Sequence, residues 1–198
     1  MFLCGELRAG LRYDAGGRPT GFDPLVRRDM QRLLAMARDE HILLIPSLLD
    51  FLVADGVTHE GPNLRWEVGE RPDLITDPEK RRALTRLLVE FVTSMDGPEV
   101  LMWEIMNEPD NAVAVVTPAL YNSLRWFIHD VAAALHRNGI LTTVGTRHAG
   151  DYQRFWRGAV DVPQIHHWRL LESVPNPYAV DTPAAELGPL PSMVAEIE

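Results

Sequence analysis

Apolar residues recur along the chain in two alternating patterns, one typical of buried strands and one typical of helices. Continuous apolar runs predict strands; these are residues 1–4, 42–45, 100–106, 140–144, 160–165 and 191–195. Apolar residues spaced three and four apart predict helices, which begin at Asp23-Pro24, Asp77-Pro78 and Thr117-Pro118. At each of these starts a capping side chain precedes a proline. The alternation of strands and helices predicts βα units around a parallel sheet, and one α/β domain over residues 1–198.

The remaining segments predict connections. Residues 5–21 are rich in glycine and charge and are interpreted as a surface loop. Residues 51–75 form a long connection, and long ordered loops in compact domains are usually functional. Gly139 is expected to end the third long helix, and only a short helix fits residues 151–156.

Composition limits the classes of function. The chain has 198 residues, 46% of them hydrophobic, so it can bury a large core. Its formal net charge of −9 argues against nucleic acid as a partner. No segment has the length of a membrane span or the pattern of a secretory signal, and a single cysteine, Cys4, leaves the cellular compartment open. Met1 falls inside a predicted strand, which suggests an N-terminus that is truncated.

Four ionisable residues follow predicted strands at their carboxyl ends: Asp50, Glu108, His166 and Glu196. Parallel strands place those ends on one face of the sheet, where α/β proteins carry their chemistry. We therefore expect the four side chains to converge. These residues can also be ordinary polar residues without a function, because strands must end in polar residues somewhere.

One motif adds a resemblance to a known family. The segment Trp103-Glu104-Ile105-Met106-Asn107-Glu108-Pro109 resembles the fourth-strand signature of clan A glycoside hydrolases, the family 5 cellulases and mannanases. The resemblance implies a (β/α)8 TIM barrel that is incomplete, with about six strands, the second to the seventh, and truncation at both ends. It implies that Glu108 is the general acid/base and that Asn107 binds the sugar 2-hydroxyl. Glu104 shares a strand face with Glu108 and could support it.

The same resemblance extends to two later strands. Met193-Val194-Ala195-Glu196-Ile197 is similar to the seventh-strand pattern that carries the nucleophilic glutamate, although Glu198 is equally acidic. His166-His167-Trp168 resembles the sixth-strand His-x-Tyr, with Trp168 in place of the tyrosine, which leaves the tuning of the nucleophile open. His166, Trp168, Asp50 and Trp66 are candidate substrate-binding residues, because aromatic rings can stack on sugar faces.

These residues predict a retaining glycoside hydrolase that cleaves β-linked glucan or mannan by a two-glutamate double displacement. The expected partner is an oligo- or polysaccharide, with no cofactor and no metal, nucleic acid or membrane, and the full-length protein is expected to be a monomer. If flanking βα units are missing, the isolated chain should have little activity. One alternative is an inactive barrel fragment that binds carbohydrate or a partner chain. Another is a metal-dependent barrel enzyme, which the absence of His-x-His and Glu-x-x-His ligand pairs disfavours.

Overall fold

The computed structural model describes residues 2–4, 10–54, 59–61, 64–66, 71–115, 118–147, 150, 152–168 and 193–197. It describes the backbone alone for a subset of these, namely 2–4, 59–61, 64–66, 113–115, 118–119, 154, 167–168 and 193–197.

A parallel sheet forms the centre of the fold. Its four inner strands, in spatial order, are β4 (Ser47–Asp50), β7 (Trp103–Asn107), β8 (Thr142–Thr146) and β9 (Val162–Trp168). The backbones of β1 (Phe2–Cys4) and β10 (Met193–Ile197) pair in parallel with β4 and β9 at the two sides. The residues of β4 and β8 are buried throughout, as expected when both faces of a parallel sheet are covered.

Three long helices alternate with these strands: α1 (Pro24–Asp39), α3 (Pro78–Met95) and α5 (Pro118–His136). The Asp23 side chain caps α1 by accepting a hydrogen bond from the Leu25 N–H, and Asp77 caps α3 in the same way. Each cap satisfies an N–H that has no partner inside the helix. Gly139, with φ of 72°, follows α5 in the left-handed conformation that the sequence predicted for a helix end.

Shorter elements fill the connections between the sheet strands. They are β2 (Leu11–Tyr13), β3 (Pro19–Phe22), β5 (His59–Gly61), β6 (Leu64–Trp66), α2 (Asp73–Thr76) and α4 (Pro109–Val115). Residues Phe51–Val53 form a 3₁₀ turn, and Tyr152–Trp156 form one π-helical turn, in which the Arg157 N–H donates to the Tyr152 carbonyl at 3.0 Å. A bilayer-spanning helix is absent from the part of the chain that the structure describes.

The α/β class and the parallel sheet are confirmed, whereas closure into an eightfold barrel stays a prediction. Two local predictions were wrong. Residues 5–21 are not only a loop, because β2 and β3 form an antiparallel hairpin whose turn is held by the Asp14 side chain. The strand predicted at 42–45 lies instead at Ser47–Asp50. Pro46 has no N–H to donate to the sheet, although its carbonyl accepts from the Glu104 N–H at 3.0 Å. Before it, Leu44 forms an isolated bridge to Val100.

Candidate active site

Glu108 lies between the end of β7 and the start of α4, and its side chain is buried, with 3% exposure. Its φ of 45° is in the left-handed region, which a residue with a side chain rarely adopts. The Glu108 N–H donates to the Gly145 carbonyl at 2.9 Å, which ties this backbone turn to β8. Such strained positions concentrate at functional sites and persist where the surroundings hold them.

Both oxygens of the Glu108 carboxyl contact hydrogen-bonding side chains. Oε1 lies 3.0 Å from Nδ1 of His166, which is also buried. Oε2 accepts a hydrogen bond from the side-chain amide of Asn111, in the first turn of α4. The Asn111 Oδ1 in turn accepts from the exposed Arg147 guanidinium at 2.5 Å, which directs the Nδ2 of the same amide toward Glu108. The orientation of the Glu108 carboxyl is therefore set from two sides.

Asp50 and Asn107 meet at the ends of two neighbouring strands, where their Cα atoms are partners in the ladder between β4 and β7. The Asn107 Nδ2 donates to Asp50 Oδ2 at 2.9 Å, and Asp50 Oδ1 accepts from the Leu52 N–H at 3.0 Å. Asp50 therefore orients the amide of Asn107. A direct contact of Asp50 with substrate stays a prediction.

A second buried carboxyl, that of Glu104, lies on β7 nearer the start of the strand. Burial raises the pKa of Glu104 above its ordinary value, against opposing hydrogen bonds from Ser47 and the Gly145 backbone. Burial alone would lower the pKa of His166. The hydrogen bond with Glu108, together with the charges of Glu104, Glu108 and Asp110, outweighs burial, so the His166 pKa is raised.

Three of the predicted site residues have side chains outside the described part of the chain. Their backbones lie in β10 for Glu196, in β9 for Trp168 and in β6 for Trp66. In the ladder between β9 and β10, Ala195 is level with His166 and Glu196 is level with His167. The structure thus brings together Asp50 with Asn107, and Glu108 with His166, while the place of the Glu196 carboxyl stays a prediction.

Two other tryptophans that could have stacked on sugar are fully buried. Trp103 packs edge-on against Phe91, with ring centroids 6.3 Å apart, and its Nε1 donates to Asp96 at 3.0 Å. Trp156 is likewise fully buried. Both therefore contribute to the core rather than to a sugar-binding surface.

The sequence interpretation missed Asn111, Gln164 and Arg147. Asn111 follows Glu108 by three residues, and a helix that starts at Pro109 brings such a residue back toward Glu108. Gln164 precedes His166 by two residues on β9, so strand alternation places the two on one face. Those two signals were present in the sequence, whereas the contact of Arg147 with Asn111 depends on how β8 and α4 meet.

Among the residues whose side chains are described, no group of three His, Cys, Asp or Glu side chains is arranged to hold a metal ion. A groove of about 760 Å³ lies elsewhere, lined mainly by residues of α3 and α5. Its lining includes Arg82, Arg86, Glu90 and Asp130, and it contains none of the strand-end residues described above. The groove therefore does not mark this site.

The fold is similar to that of a β-mannanase. The X-ray structure of β-mannanase from the blue mussel Mytilus edulis superimposes with a TM-score of 0.65 at 16% sequence identity. The match covers 93% of this chain and 62% of the mannanase chain, so the chain spans less than two thirds of the length of that relative. No protein-family model and no curated protein sequence matches this chain. At this identity the likeness concerns the fold alone.

Proposed function

We propose that the chain carries the acid/base half of a glycoside hydrolase site that acts on β-linked polysaccharide, with mannan as the first substrate to test and glucan as the second. The observation that carries the proposal is the buried carboxyl of Glu108 at the carboxyl end of β7, oriented by His166 and Asn111. The likeness in fold to a β-mannanase supports the choice of substrate class.

Glycosidic bond cleavage needs a carboxyl group that protonates the leaving oxygen and then deprotonates the attacking water. Glu108 is the proposed acid/base. Its position beside the donor groups of His166 and Asn111 keeps the carboxyl in one orientation, which a proton transfer to a bound sugar requires. Asn107, whose amide is fixed by Asp50, is the proposed partner of a sugar hydroxyl.

Glu196 is the proposed nucleophile of a retaining mechanism. Its carboxyl would attack the anomeric carbon, the glycosidic oxygen would leave with the proton of Glu108, and water would then release the sugar. The mechanism requires the two carboxyl groups to lie about 5–5.5 Å apart, whereas an inverting enzyme needs about 6.5–9.5 Å. In the ladder between β9 and β10, His166 is level with Ala195 and not with Glu196. The proposal nevertheless requires the Glu196 carboxyl to reach the side of the sheet that carries the His166 side chain.

Product stereochemistry tests this proposal. The purified full-length protein is incubated with manno- and gluco-oligosaccharides, and proton NMR follows the anomeric signals of the first-formed products, with and without EDTA. We expect β-configured products that later mutarotate, at rates that EDTA does not change. First-formed α-products would overturn the retaining mechanism, and loss of activity in EDTA would favour a metal-dependent enzyme. Binding of the sugars without any release would overturn hydrolysis and favour a carbohydrate-binding role.

A further inference from the structure

A polar cluster is buried next to Glu108, on the face of strands β7, β8 and β9 that carries the Glu104 side chain. We call this face the inner side of the sheet. Its members are Glu104 on β7 and Gln164 and His166 on β9, each no more than 6% exposed. The Gln164 Nε2 lies 3.2 Å from Glu104 Oε1 and 2.7 Å from His166 Nε2. Glu104 Oε1 and His166 Nε2 are 3.9 Å apart. The Gln164 amide is therefore shared between an acid and an imidazole that both titrate.

The cluster exists because the strand between β7 and β9 has no side chain at this level. A Cβ atom on Gly145 would lie 2.6 Å from Nε2 of His166 and closer still to Oε1 of Glu104. Real Cβ atoms do not approach so closely, so any larger residue at 145 would force the two groups apart. Gly145 thus lets side chains of β7 and β9 meet across β8.

Hydrogen-bond directions restrict where the protons are. An amide nitrogen only donates, so with Nε2 of Gln164 toward the cluster, Oε1 of Glu104 accepts and His166 Nε2 accepts with its lone pair. His166 is then neutral, and its proton is on Nδ1, from which it donates to Glu108. A half-turn of the amide exchanges nitrogen for oxygen, and the oxygen can accept from a protonated Glu104 and from a protonated Nε2.

We propose that the Gln164 amide is a two-position switch that makes Glu104 and His166 take up and release protons together, and that Glu104 is thereby a positioning residue for Glu108. This rests on the proposed function of Glu108. One position has ionised Glu104 and neutral His166. The other has neutral Glu104 and cationic His166, and reaching it takes two protons from solvent.

The surroundings favour the doubly protonated position as the pH falls. The charged groups facing His166 are Glu104, Glu108 and Asp110, and they raise its pKa against the effect of burial. The groups facing Glu104 are Ser47, the Gly145 backbone and His166, and burial raises the Glu104 pKa despite them. Both groups therefore hold their protons to higher pH than in water. In the present position the Gln164 Oε1 lies 3.5 Å from Thr143 Oγ1. After a half-turn of the amide, Nε2 takes the place of Oε1 and faces this hydroxyl.

The switch makes a prediction opposite to that of a simple ion pair. If Glu104 and His166 interacted only through space, loss of the negative charge on Glu104 would make the cationic imidazole less stable, so the two groups would titrate at separate pH values. If the amide couples them, protonation of one turns the amide and favours protonation of the other. They would then titrate in one step that is steeper than a single-proton curve.

The experiment is an NMR titration of the whole chain that needs no enzymatic activity. Nitrogen-15 shifts report whether Nδ1 or Nε2 of His166 carries a proton, carbon-13 shifts report the Glu104 carboxyl, and the Glu104→Gln and His166→Gln variants assign the signals. We expect one shared, steep step in the wild-type protein. Gln164→Met, which keeps the shape but removes the amide, should split it into two single-proton steps.

Separate titration steps in the wild-type protein, or a shared step that survives in Gln164→Met, would overturn the switch.

A second experiment compares the pH dependence of kcat and KM for wild-type and Glu104→Gln protein. We expect a shifted limb of the kcat profile with KM unchanged, because Glu104 acts on Glu108 through His166 and not on the sugar. An unshifted profile would overturn the positioning role. A shared step in a protein that cleaves no sugar would leave the switch intact and overturn the proposed function alone.

Discussion

The two sides of β7 are stabilised by different interactions, apolar packing on one side and polar contacts on the other. Toward the helices, Trp103 is fully buried against Phe91, and its one polar atom donates to Asp96. Toward the inner side, Glu104 and Glu108 are as deeply buried, yet they contact polar side chains of other elements. Apolar packing gains stability in proportion to buried area, whereas a buried polar group is tolerated only when its partners are present.

Because of this difference, the two sides of β7 should respond differently to substitution. On the helix side, a substitution should change stability while leaving the geometry of Glu108 intact. On the inner side, each residue holds the next, so one substitution should disturb both stability and the proton positions of its neighbours. The substitutions below separate these two kinds of effect, in order of the expected change in the free energy of unfolding.

The largest change in stability is expected on the helix side. Leu88 is fully buried on α3, and Leu88→Ala should lower the free energy of unfolding by about 2–5 kcal/mol, because it leaves a cavity. Activity per folded molecule should not change. Met36→Ala, at a residue that is 63% exposed, is the control and should stay within about 0.5 kcal/mol. Urea unfolding measures both, and equal costs at the two sites would contradict the account of the helix side.

A somewhat smaller loss of stability is expected when a larger side chain is placed on the inner side at Gly145. Gly145→Ala should cost about 1–3 kcal/mol, since the added Cβ meets His166 and Glu104. It should also reduce activity per folded molecule, which Leu88→Ala should not. The matched control is Gly21→Ala, where an added Cβ has no neighbour within 4 Å. If Gly145→Ala keeps full activity in its folded fraction, the inner cluster does not position Glu108.

The inner side should also give stability a particular pH dependence. Because the pKa of Glu104 is raised in the folded state, its contribution is fully present below the unfolded value of 4.5 and is lost as pH rises through the folded pKa. Wild-type protein should therefore lose stability relative to Glu104→Gln as pH increases above that range. Urea unfolding across pH measures the difference. A constant offset between wild-type and Glu104→Gln protein across this pH range would contradict the raised pKa of the buried Glu104 carboxyl.

The smallest effect is expected at Asp73 of α2, whose partly exposed carboxyl pairs with Arg71 and Lys80. Hydrogen bonds from Arg71 and Lys80 lower the pKa of Asp73 to about 2, against the opposing effect of partial burial. Its contribution is present above the unfolded value of 3.8 and is lost as pH falls toward 2. Since 36% of the side chain is exposed, Asp73→Asn should cost less than about 1 kcal/mol at neutral pH. A loss comparable to that of Leu88→Ala would show that burial does not govern these energies.

The sequence was most informative where structure is local. Asp23-Pro24 and Asp77-Pro78 predicted the starts of α1 and α3, because capping and the fixed φ of proline act within a few residues. The apolar run before Asn107 predicted β7 and the position of Glu108 at its end.

Contacts between distant residues were not predictable in the same way. Glu104 and Gln164 are 60 residues apart, and their meeting depends on strand order and on the missing side chain at Gly145. The hairpin of β2 and β3 was missed because three- and four-residue strands are too short to show an alternating pattern.

Glu108 is the proposed acid/base of a glycoside hydrolase, and a comparison of two substrates tests this role. Glu108→Gln is assayed on β-mannan or β-glucan and on an aryl glycoside whose leaving group needs no proton, beside Glu90→Gln as the control. The account predicts a loss of about 10²–10⁴-fold on polysaccharide, a much smaller loss on the aryl glycoside, and no change for the control. Equal losses on both substrates, or full activity of Glu108→Gln on polysaccharide, would contradict it.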